Sequence, residues 1–81
     1  MDWIDEYAEA LGLGTLDEEE RRVLLKLARD VAHRTERIFA PLSTYLAGRF
    51  VAERVRSGDA PAGAAREASR LATEALPSAD A

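Results

Sequence analysis

The sequence predicts an all-α protein, a compact bundle of three core helices with a weaker fourth helix at the C-terminal end. Three observations predict this fold class. Apolar residues recur at three- and four-residue spacing over long segments, which is the period of an amphipathic helix. No segment shows the alternation or turn residues that favour a sheet. The links between the helical segments are short, which favours an antiparallel, up-and-down arrangement.

The first helix is predicted from Trp3 to Leu11. Asp2 is its expected N-cap, and Gly12 supplies the left-handed residue that ends it, with Leu13 folding back as the hydrophobic partner of the C-cap. One face of this helix is apolar and consists of Trp3, Ile4, Tyr7, Ala8 and Leu11.

The second helix is predicted to begin at a cap on Thr15 or Asp17, since each of them opens a capping box. It is expected to run to the break at Ala40 and Pro41, because a residue before proline is disfavoured in helical geometry. Its expected buried stripe comprises Leu24, Leu27, Ala28, Val31, Thr35 and Ile38, widened by Leu25 and Ala32.

The third helix is predicted from Pro41 to about Arg56 and is apolar on two sides. Such a helix is either central to a bundle or half of a dimer interface. Thr44, Gly48 and Ala52 repeat every four residues and form a small-residue seam. We expect this seam to pack against the first or second helix of the same chain, with packing between chains as the alternative. Replacing Gly48 with a larger residue is then expected to be disruptive.

The fourth helix is predicted from Pro61 to about Ala75. Its apolar face is mostly alanine, so we expect it to be marginally stable and to fold only where it docks. Residues 1–76 are interpreted as a single helical domain, and residues 77–81 as a disordered tail.

The 81 residues suffice for one domain, and the absence of cysteine excludes disulfides and thiolate metal sites. The net charge of −4 is unevenly distributed: residues 1–20 carry −8, residues 21–56 carry +6 and residues 57–81 carry −2. We expect the acidic first segment and the basic middle segment to neutralise each other within the fold. No leader or membrane-length apolar run is recognisable, so a cytoplasmic location is expected.

Few residues have a pattern that points to chemistry. His33 is the only histidine, and Asp30 lies one helical turn before it. With no cysteine and no second histidine, the remaining ligands of a zinc site would all have to be carboxylates, which is uncommon, and a nucleophile would have to be Ser43 or Thr44 beyond the proline break. The sequence Gly12-Leu13-Gly14 lacks the context of a phosphate-binding loop. We therefore expect no enzyme activity, no cofactor and no metal, with His33 solvated or paired with Asp30 or Arg37.

A basic stripe on the second helix is the main candidate contact surface. Nucleic acid is not expected to bind it, because the domain is acidic overall and lacks a polar recognition helix. The candidate interaction residues are Arg22, Lys26, Arg29, Asp30, His33, Arg37, Tyr45 and Gly48.

The segments 27–33, 36–37 and 40–48, together with Trp3-Ile4 and 11–13, resemble a small actinobacterial domain of unknown function. That family occurs alone or fused behind the nucleotidyltransferase domain of molybdenum cofactor guanylyltransferase. The resemblance covers residues 3 to about 52. It implies a link to molybdenum cofactor biosynthesis, and the family offers no catalytic residues to carry over.

The expected function is that of a non-enzymatic accessory or docking module. Its expected partner is a second copy of the chain or a molybdenum cofactor nucleotidyltransferase. The alternative is a small-ligand module, in which Arg29, His33, Arg37 and Tyr45 bind an anionic nucleotide or pterin through the basic face of the second helix.

Overall fold

The computed structural model describes residues 2–78, which contain four α-helices. In chain order these are α1 (Trp3–Ala10), α2 (Glu18–Arg34), α3 (Phe39–Arg56) and α4 (Pro61–Ala75). The described residues include no strand. Each of α2, α3 and α4 packs against the other two. The prediction of an all-α bundle with three core helices is confirmed.

The peripheral helix is α1, whereas the sequence predicts α4 in that position. No described residue of α1 brings its backbone close to another helix, while α4 packs on both α2 and α3. Ala64 and Ala65 of α4 are almost completely buried. An alanine face offers little apolar area, but here it is buried against two other helices, and α4 therefore belongs to the core.

The core is small and lies where these three helices meet. Leu27 and Val31 of α2 and Ala47 of α3 are its buried centre. Partly buried side chains complete it: Leu24, Ala68, Ala72 and Leu76. The buried stripe of α2 is narrower than predicted, because Leu25, Thr35 and Ile38 are exposed.

The chain leaves the α-helix earlier than predicted between α2 and α3. Thr35 departs from helical geometry with φ −133° and ψ −120°, and its hydroxyl donates to the carbonyl oxygen of Val31 at 2.6 Å. Pro41 does not mark the break, since it is the third residue of α3. The first four N–H groups of a helix have no intrahelical acceptor, so proline costs α3 no hydrogen bond there.

The predicted helix ends are confirmed at several places. Asp17 is the N-cap of α2, and Asp17 and Glu20 form a reciprocal capping box. Gly12 ends the α1 segment at φ +75°, and the Leu13 N–H donates to the Ala8 carbonyl oxygen at 2.9 Å. This is the Schellman arrangement expected after a helix that closes on glycine.

An arginine links α1 to the start of α2. Arg21 donates to both carboxylate oxygens of Asp2, at 2.6 Å and 2.8 Å, and to Asp5 at 3.2 Å. Asp2 is also the N-cap of α1 and forms a capping box with Asp5. The hydrogen bonds from Arg21 hold the pKa of Asp2 well below its usual range. The acidic first segment is thus partly neutralised by the basic second one, as expected.

The fourth helix has the predicted bounds and begins with Pro61 at its first position, which proline favours. Pro77 and Ser78 follow without regular structure. The rest of the predicted tail, residues 79–81, lies outside the described residues. Within 2–78, none of the helices combines the length and apolar character needed to cross a membrane.

Candidate functional site

Large apolar side chains are unusually exposed on this domain. In residues 2–78 the buried apolar residues are Leu27, Val31 and four alanines, whereas fourteen large apolar side chains are exposed. Single exposed apolar residues are normal, but contiguous apolar patches mark interaction sites.

The outer side of α3 carries such a row, which we call the α3 ridge. It consists of Ile38, immediately before the helix, with Leu42, Tyr45 and Leu46. Their exposed fractions are 65%, 57%, 68% and 59%, respectively. Spacings of three and four residues place them on one side of the helix, away from the buried Ala47. The ridge is a continuous apolar strip without a partner helix in the described part of the chain.

The small-residue seam lies on the other flank of this outer side. Gly48 and Ala52 are exposed, and a Cβ atom placed on Gly48 would meet no atom within 4 Å. The expected packing of this seam against another helix of the same chain is therefore wrong, and so is the reason for expecting a larger residue at Gly48 to disrupt the fold. The interior glycine is not explained by packing within the chain.

An apolar groove opens beside the seam. Its volume is about 560 Å³, and it lies between the segment that links α1 to α2 and the helices α2, α3 and α4. Its apolar lining includes Leu13, Leu16, Leu24, Gly48, Val51, Ala52, Val55, Pro61 and Ala65. Together, the groove and the ridge mean that most positions around the α3 helix carry either an apolar or a small side chain.

The basic stripe of α2 is more neutralised than the sequence indicates. The ammonium of Lys26 lies 2.8 Å from the Asp30 carboxylate, and Arg29 lies 3.5 Å from it. The hydrogen bond from Lys26 lowers the pKa of Asp30. Arg22 and Arg37 are exposed and form no ion pair within residues 2–78. The stripe is thus a solvated face with two uncompensated arginines.

His33 is exposed and forms no hydrogen bond or ion pair within the described residues, so of the two expected states it is in the solvated one and is not paired with Asp30 or Arg37. It lines a shallow depression together with Lys26, Asp30, Arg34 and Thr73. Over residues 2–78 no three His, Asp or Glu side chains are grouped so that they could hold a metal ion.

The structure brings together only part of the predicted surface. Lys26, Asp30 and His33 meet at the depression on α2, whereas Tyr45 and Gly48 lie on α3 and do not line it. The interaction residues predicted from the sequence do not include Ile38, Leu42 or Leu46, which form most of the ridge. Their four-residue spacing was the available signal, but periodicity does not say which side of an apolar helix its own chain will cover.

Comparison with protein families gives one match. The model of a family described as "Domain of unknown function (DUF6457)" matches residues 1–81. Searches of curated proteins and of solved structures found no match.

Proposed function

The chain belongs to this family of domains of unknown function, DUF6457, and we propose that it is a non-enzymatic docking module whose contact surface is the α3 ridge. The observation that supports the proposal is the row of four large apolar side chains, each more than half exposed, on one side of a single helix. A helix with apolar residues at this spacing is what protein grooves and partner helices recognise.

The size of the patch fits a specific contact. Burying one Leu, Ile or aromatic side chain is worth about 1.5–3 kcal/mol relative to leaving it in water. Four such residues provide a central apolar cluster of the kind that dominates binding energy at protein interfaces. Arg49 and Glu53 follow the ridge along α3 and supply a polar rim.

The proposal extends to the partner and the pathway. The resemblance of residues 3 to about 52 to a domain fused behind a nucleotidyltransferase supports a role as an accessory to molybdenum cofactor guanylyltransferase. We propose that the module acts in the cytoplasm, which its cysteine-free composition accommodates. No catalytic residue is part of the proposal.

Binding to a purified actinobacterial molybdenum cofactor guanylyltransferase, measured by calorimetry, tests the proposal. The variant Leu42→Glu places a charge in the centre of the ridge and is expected to weaken binding at least tenfold. Leu25→Glu is the matched control, because Leu25 is a leucine on α2, outside the ridge, and is even more exposed than Leu42. Unchanged affinity of the Leu42→Glu variant contradicts the assignment of the surface, and no binding by the wild-type chain contradicts the molybdenum cofactor link.

The alternative, a nucleotide or pterin bound at the basic face of α2, stays a prediction. Two of the cations on that face already share the carboxylate of Asp30. Calorimetry with guanine nucleotides and molybdopterin tests it directly.

A further inference from the structure

We draw no further inference here: the strongest candidate, the apolar groove of about 560 Å³ beside Gly48, between the segment that links α1 to α2 and the helices α2, α3 and α4, is an unpartnered face, and nothing in the structure shows what covers it.

Discussion

Replacing Leu27 with alanine measures how much of the stability resides in the small core. Leu27 is 3% exposed and is the largest residue in the buried centre, where it packs with Val31 and Ala47. Removing its outer carbons costs about 0.8 kcal/mol for each, plus a cavity term, so Leu→Ala changes in cores cost about 2–5 kcal/mol. A solvent-open groove of about 240 Å³ borders Leu27. Partial collapse into that groove places the expected loss near the lower end, at about 3 kcal/mol.

This loss is large for the domain. A chain of 81 residues has a stability of about 4–12 kcal/mol, so the substitution removes between a quarter and most of it. The melting temperature is expected to fall by about 12–24 °C. Urea unfolding followed by circular dichroism measures the loss of free energy, and thermal unfolding followed in the same way measures the melting temperature.

Leu25→Ala is the matched control, because Leu25 is 72% exposed on the same helix. Its expected cost is within about 0.5 kcal/mol. The reasoning is refuted if the two leucines cost the same, because the core would then not lie where α2, α3 and α4 meet.

Three further predictions concern the glycines and the attachment of α1. Gly48→Ala is expected to raise the free energy of unfolding by about 0.5–1 kcal/mol, because interior glycine weakens a helix and a Cβ atom there meets nothing within 4 Å. Gly58→Ala serves as the contrast and is expected to lower the free energy of unfolding by more than about 1 kcal/mol, since Gly58 has a φ of +103°. Thermal unfolding compares the two substitutions. Arg21→Ala is expected to free α1 and lower the fluorescence anisotropy of Trp3, the single tryptophan, and an unchanged anisotropy would count against the ion pair as the link. The pKa of Asp2 is lower in the folded state than in the unfolded chain. The contribution of Asp2 to folding stability is therefore present above the unfolded pKa of about 4 and is lost as the pH falls through the lower folded value. The fluorescence anisotropy of Trp3 is expected to stay constant between pH 7 and 5 and to change only in strong acid.

The sequence predicts local structure well because helix ends depend on near neighbours. Asp17, Gly12 and Pro61 each act on groups within a few residues, and all three have the predicted role. The break after α2 is a case where two local signals compete. Thr35 leaves the helix before Pro41 is reached, and proline is tolerated within the first turn of the next helix.

Which helices meet depends on contacts that no local pattern encodes. The aromatic face of α1 looks like a core element, yet Trp3 and Tyr7 are exposed and stack on each other at 5.1 Å. The alanines of α4 look marginal, yet Ala64 and Ala65 are almost completely buried and α4 packs on both α2 and α3. The small-residue seam at Gly48 predicts a close helix contact, but in the described part of the chain no side chain or other helix comes within 4 Å of a Cβ atom placed there.

The alanine-rich core described above also has a calorimetric consequence. The heat capacity rises on unfolding in proportion to the apolar surface that becomes hydrated. An interior built largely from alanine side chains exposes little apolar surface, so the rise is small. In scanning calorimetry, the isolated domain should therefore unfold over a wide temperature interval, with a small difference in heat capacity between the folded and unfolded baselines. Covering the ridge would add the missing hydration change and sharpen that transition.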